Sequence, residues 1–219
     1  MGSPSANAAR PASSGGQGRR HPPLVRRQLI IEAARSVIAR RGMAGTRMRE
    51  VAAAADVSLG TLTYHFTGID ELLAAVIQAE ETEFFQPIVD HALAAETGRD
   101  GLRRLVSRLF VDSERTREHW LLWLDFWTLA SHIPAYGRWQ DRSYGAWRAT
   151  IAELVDRGGR DGSLTVGDPH LATTHFMVLV DGVAAQAYLT GRESTVVTTP
   201  PDVLMWALTS HLFQLPTDH

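Results

Sequence analysis

Apolar residues recur every three or four positions along most of this chain, a spacing that predicts helices. From Leu24 onward, Leu29, Ile30, Ala33, Ala34, Val37 and Ile38 form one stripe, and Gly42 in "RRGMAG" ends the run. Thr46 stands where an N-cap opens a second helix, with Met48, Val51, Ala52 and Ala55 on its inner face. "ADVS" then turns the chain, and Ser58 caps a short third helix through Tyr64. A fourth helix begins near Ile69, with Asp70 and Glu71 in its first turn, and runs past Val89 with a bend at Pro87. Further helices are predicted over 99–115, 118–132, 134–157, 168–190 and 201–214. They are separated by "HIPAYG", "RGGRDGSLTVGDP" and "GRESTVVTTPP". "STVVTT" is the one strand-like run, and a lone strand has no partner. The chain reads as all-α: three short helices followed by a larger helical body, about nine helices together.

Residues 1–23 break this pattern. They are rich in Ser, Gly, Ala and Pro, bury almost nothing, and read as a disordered basic tail. The expected division is therefore tail 1–23, a three-helix unit 24–68, and a body 69–219. At 219 residues and 44% hydrophobic, the chain can hold one sizeable core or a small domain fused to a larger one.

Charge sharpens the division. Residues 1–66 carry ten Arg against three acids (Glu32, Glu50 and Asp56), while the remainder carries twelve Arg against twenty-one acids. A basic first third on an acidic body points to a polyanionic partner for the first part only. With no cysteine, disulfides and thiolate metal sites are excluded. The nine His are scattered, and His170 and His175 lack the i, i+4 spacing of a ligand pair. No metal and no cofactor are expected. No signal peptide and no long apolar run is visible, so the expected location is the cytoplasm, without a membrane partner. No phosphate loop, nucleophile elbow or dinucleotide fingerprint occurs.

The first three helices have helix-turn-helix proportions: helix 2 over about 46–53, a turn of about four residues, and helix 3 over about 58–65. In such a unit the second helix of the motif enters the major groove of double-stranded DNA. Arg47, Ser58, Thr61, Thr63, Tyr64 and His65 are the candidate DNA contacts, with the small Gly60 and Thr61 permitting close approach. Met48, Val51, Leu59, Leu62 and Phe66 are assigned to the core. Arg19 and Arg20 could serve as a minor-groove arm or simply stay solvated.

The stretch "TRMREVAAAADVSLGTLTYHFTGIDELL", residues 46–73, resembles the tetracycline-repressor (TetR) family of bacterial regulators. The likeness lies in Thr46, the pair Val51 and Ala52, the series Ala55, Asp56, Val57 and Ser58, the aromatic recognition helix, and the acidic "ELL" after it. It implies a three-helix DNA-binding domain, a helical ligand-binding and dimerising domain, and repression relieved by a small molecule. Three positions depart from the family pattern. Asp56 replaces the usual turn Gly, Thr63 the first of two Tyr, and Ile69 a Lys. Asp tolerates left-handed backbone, so the turn is expected to survive. "WLDFWTLASHIPAYGRWQDRSYGAWRATIAELVDRGGRDGSL" and "LVDGVAAQAYL" resemble the betaine-pathway subgroup. The alternative is a small all-α enzyme, or a helical partner-binding module without sequence-specific DNA binding.

Two surfaces are expected in the body. Val178, Gly182, Ala185 and Leu189, with Leu204, Leu208 and Leu212 on the last helix, form small and apolar stripes suited to a two-fold homodimer, or to an ordinary internal core. Trp120, Trp123 and Trp127 fall on one helix face, interrupted by Asp125. They suggest a pocket for a bulky apolar small-molecule effector, with or without a positive charge held by Asp125. His132, Asp181 and Tyr188 are its secondary polar candidates. The same rings could equally fill core, with Asp125 in an internal salt bridge.

Overall fold

Prolines 22 and 23 set the first turn of α1 (Pro23–Arg41), where a missing N–H leaves no bond unmade. In this computed structural model, residues 22–189 and Leu204 are described. Residues 1–21 of the tail, the run "STVVTT", most of the predicted helix 201–214, and the candidates Leu208 and Leu212 lie outside the described residues. So do Arg19 and Arg20, while Pro22 and Pro23, assigned to the tail, cap and open α1.

The helix-turn-helix forms as the spacing requires. Helix α2 spans Met48–Ala54 and α3 spans Leu59–His65. Asp56, the departure from the family pattern, takes φ 52° and makes the left-handed turn. Ser58 caps α3, its hydroxyl accepting the Thr61 N–H at 3.0 Å. Two expectations fail here. Arg47 is the N-cap of α2, while Thr46 is buried and donates its hydroxyl to the Gly42 carbonyl at 2.8 Å, tying down the preceding loop. Leu59, assigned to the core, is 39% exposed because it sits in the first turn of α3, away from α1.

Helix α4 (Ile69–Glu80) continues without a break into a π-helical turn (Glu81–Phe85) and then α5 (Gln86–Leu93). Pro87 is responsible. It has no N–H to give, and its ring crowds the carbonyl four residues back, so the helix widens by one residue before it. The Gln86 N–H accordingly reaches the Glu81 carbonyl. The long fourth helix expected from sequence is thus continuous, with a changed register.

The body is completed by α6 (Gly98–Leu109), α7 (Glu114–Ala130), α8 (Pro134–Asp161) and α9 (Pro169–Leu189). Helix α6 ends six residues earlier than its apolar pattern suggested. The Ser113 hydroxyl accepts the Thr116 N–H at 3.1 Å and starts α7 there. Helix α8 runs through Gly158 and Gly159, where the sequence predicted a stop. At Gly98 the backbone of α6 comes so close to α8 that a Cβ would lie 2.2 Å from the Gly158 N and the Leu154 carbonyl, and a Cβ on Gly158 would lie 2.3 Å from the Leu164 side chain. All regular structure among the described residues is helical.

Two apolar clusters hold the helices together. One joins α5, α6, α8 and α9 through residues such as Leu102, Leu105, Ile151, Leu154 and Phe176. The other is built on Ile30, Ile38, Val51, Leu62, Phe66 and Leu72, and is completed from α7 and α8 by Leu122, Phe126 and Tyr136. The three-helix head therefore shares its core with the body.

Candidate DNA interface and effector cavity

The outer face of α3 is wet and unsupported. Tyr64 is 79% exposed, with the His65 ring edge-on to it at 5.1 Å. Thr63 is exposed and donates to the Gly60 carbonyl at 3.2 Å. Thr61 and His65 are half-buried, and the Thr61 hydroxyl shares a 2.9 Å bond with Ser58. A Cβ at Gly60 would touch nothing but the Ser58 hydroxyl, so this chain's own packing does not require glycine there. Arg47 is exposed beside α3, its guanidinium held by the Ala44 and Thr46 carbonyls. Such local bonds fix where a phosphate-binding cation points. All six candidates therefore lie on the head, away from its core.

In the body, the π-turn, α5, α7, α8 and α9 enclose a cavity of about 490 Å³. Its wall includes Trp120, Trp123, Trp127, Trp139 and Trp147, with Phe85 edge-on to Trp147 at 4.9 Å. Two carboxylates reach it, Glu81 and Asp181. The Tyr144 hydroxyl donates to Asp181 at 2.6 Å, and Ser143 donates to Glu81. Burial pushes the Asp181 carboxyl above its usual range, more than the Tyr144 bond draws it down. Burial, reinforced by the bond to Asp181, raises Tyr144 well above an ordinary phenol. Arg142 is exposed at the rim.

Of the two carboxylates expected at the pocket, Asp181 lines this cavity and Asp125 does not. Asp125 points out of the cavity, toward the head, where it accepts the Met43 N–H at 2.9 Å. On a helix carrying Trp at 120, 123 and 127, position 125 falls on a different face. His132 is exposed in the turn after α7 and does not line the cavity. Tyr188 lies behind the wall, stacked on Trp120 at 6.1 Å, and burial lifts its hydroxyl to about 12. Asp181, Trp120, Trp123 and Trp127 do line it. Glu81, Phe85 and Tyr144 were missed, as were the stripe positions Trp139, Ser143 and Trp147. That stripe, at i, i+4 and i+8, was a readable signal.

Beneath the cavity, the Glu80 side chain is fully buried. It accepts two bonds from Arg115 at 3.0 and 2.9 Å and one from His119 Nδ1 at 2.8 Å, and it pairs with Arg35 of α1. Burial alone would raise this carboxyl, but the His119 and Arg115 contacts hold it down at about 2. Burial keeps the His119 imidazole below its usual range, neutral, with Nδ1–H as the donor.

On α9, Val178 and Leu189 are 64% and 66% exposed, and Gly182 and Ala185 between them are half-covered. Leu204 does not join this surface. It is 1% exposed, inside the body's own core, because its side chain meets the α6–α9 cluster. Among the described residues no cluster of His, Asp and Glu could hold a metal, and no helix is long and apolar enough to cross a membrane.

A short exposed helix set across a left-handed turn from its partner is the groove-reading device of helix-turn-helix regulators. A lined cavity in the same chain is what a ligand-responsive regulator requires. Comparison with known proteins agrees. Residues 30–76 match the family described as "Bacterial regulatory proteins, tetR family", and residues 98–199 match "BetI-type transcriptional repressor, C-terminal". The regulator BetI of Stenotrophomonas maltophilia is 32% identical over 170 residues, covering 77% of this chain and 84% of its own. PksA of Bacillus subtilis is 28% identical, covering 75% and 79%. A solved regulator from Saccharomonospora viridis, in complex with choline, superposes with a TM-score of 0.78 at 26% identity, covering 84% of this chain and 96% of that one. This chain belongs to the TetR family, with a body of the BetI-like subgroup. It is a ligand-responsive, DNA-binding transcriptional regulator, and the enzyme alternative is set aside because its relatives are regulators.

Proposed function

We propose that this protein is a cytoplasmic repressor which binds a palindromic operator as a homodimer and is released by a cationic, largely apolar small molecule. In this reading residues 24–68 read DNA, while residues 69–219 dimerise and hold the effector. The observation that carries it is the cavity wall: five Trp rings line the same cavity as the half-buried Asp181, which accepts the Tyr144 hydroxyl. Aromatic faces with a desolvated carboxylate stabilise an organic cation by about 0.5–2 kcal/mol per ring contact. The choline complex of the S. viridis regulator supports the assignment. The volume suits a drug-sized ligand, so the effector has room to be bulkier than choline.

A ligand relieves repression only by favouring the state that does not bind DNA. Choline and larger quaternary ammonium compounds should therefore quench Trp fluorescence, raise the melting temperature and release the promoter DNA of the protein's own gene. Asp181→Asn should weaken a cationic hit about tenfold or more while leaving a neutral one unaffected. Because burial raises the Asp181 carboxyl, the parent's affinity for the cation should fall as pH is lowered through that raised value. Binding by anionic compounds alone, or an Asp181→Asn variant as tight as the parent, would refute the cation assignment.

A further inference from the structure

We propose that the π-helical turn Glu81–Phe85 and the buried Glu80 at its start carry the state of the cavity to the head, with Arg35 as the head-side contact. This coupling rests on the cavity being the effector site. Its structural basis is that one short turn serves both places. Glu81 and Phe85 face the cavity. Glu80 and Glu83 face α1 instead, where Arg35 pairs with both and Gln28 donates to Glu83 at 2.6 Å.

A second thread runs the same way. His119 lines the cavity and gives its Nδ1–H to Glu80 at 2.8 Å. Its ring stacks on Phe84 of the π-turn, centroids 3.7 Å apart, and the Arg115 guanidinium lies over the same Phe84 ring, 4.9 Å from its centroid. Any ligand that presses on Phe85 or His119 therefore bears on groups bonded to Glu80.

Glu80 cannot follow such a movement by degrees. Its two oxygens accept hydrogen bonds from Arg115 and His119 of α7 and pair with Arg35 of α1, and its own side chain is fully buried. A buried charge that loses a partner is penalised steeply, so the cluster is either whole or broken. A π-turn also has a second arrangement open to it, since a one-residue change of register distinguishes it from an α-turn. The pair supplies a two-state element with one face on each site, which is the physical requirement for coupling. Arg35, Arg115 and His119 act in this scheme as positioning residues. None needs to touch DNA.

The test is a double-mutant cycle read by amide hydrogen exchange in the full-length protein, without ligand. Phe85→Ala perturbs the cavity face of the turn, and Arg35→Met removes the head-side contact at similar volume. In the parent background Phe85→Ala should change exchange across α1 about fivefold or more, and in Arg35→Met by less than about twofold. If Phe85→Ala alters α5 and α8 but not α1, the coupling does not exist. If it alters α1 equally in both backgrounds, Arg35 is not the route. Should Arg35→Met fail to fold by circular dichroism, Glu83→Gln replaces it, since it removes the exposed half of the clamp and should cut the effect by at least about half. Titrating choline chloride and tetrabutylammonium chloride into the parent by Trp fluorescence is a separate arm. Failure of both would overturn the effector assignment and leave the exchange result standing.

Discussion

Asp125 in the middle of α7 accepts the main-chain N–H of Met43 at 2.9 Å, joining body to head across 82 residues of chain. Gly42, just before, has φ 71°, and a Cβ there would lie 2.9 Å from the same carboxylate oxygen. The contact is structural. Asp125→Ala should lower unfolding stability by about 1–2 kcal/mol in urea, discounted for its half-exposed site, and leave the affinity of any cavity ligand unchanged. Gly42→Ala should cost at least about 1 kcal/mol through its backbone alone. A cation whose binding is lost in Asp125→Ala would put this carboxylate back into the pocket.

Glu80 makes stability sensitive to acid. Its folded value of about 2 lies below the ordinary 4.5, so its contribution is complete above about pH 4.5 and disappears as pH falls toward 2. Glu80→Gln should cost about 3–5 kcal/mol at pH 7, because Arg35 and Arg115 lose their buried partner. The gap to the parent should narrow below pH 4.5. Denaturant titrations at pH 7, 5 and 4 measure it, and a gap that stays constant with pH contradicts the assignment.

Tyr64 separates recognition from folding. With 79% of its surface exposed, Tyr64→Ala should shift stability by no more than about 0.5 kcal/mol. It should nonetheless weaken DNA binding, and if the hydroxyl meets phosphate the loss will be similar for all sequences. Thr61→Ala should instead relax sequence preference. Gel retardation on operator and scrambled DNA distinguishes the two, and variants that bind like the parent would remove α3 as the reader.

For the homodimer, Gly182 offers an unusually clean probe. Among the described residues nothing lies within 4 Å of a Cβ placed there, so their packing accommodates a larger residue. Gly182→Arg with Ala185→Arg should give a folded monomer by sedimentation and abolish tight operator binding, because two half-sites about 34–36 Å apart would no longer be engaged together. A variant that remains dimeric locates the interface elsewhere.

What was readable in the sequence follows from how local its causes are. The turn at Asp56, the Ser58 cap and the continuity of the chain through Pro87 are set within a few residues, and all three were legible. Thr46 looked like a cap because capping residues are recognised by type, yet its burial against the Gly42 carbonyl depends on the whole loop. The body's aromatic helix was equally visible, but not the direction of its carboxylate. Asp125 turns away because Met43, far along the chain, presents an N–H. Glu81 and Phe85 were hidden for another reason: they lie within a π-turn, whose wider register departs from the 3.6-residue stripe on which the reading relied.

The shared core has a consequence for exchanging parts between regulators. Leu122, Phe126 and Tyr136, all from α7 and α8, are 1%, 0% and 6% exposed in the cluster that packs α1 to α4. Cut out alone, the first 68 residues would leave that cluster open on one side, and the fragment should not hold a native fold. A chimera that borrows this reading unit for a foreign sensor must carry those three side chains with it, or find three of the same shape already waiting.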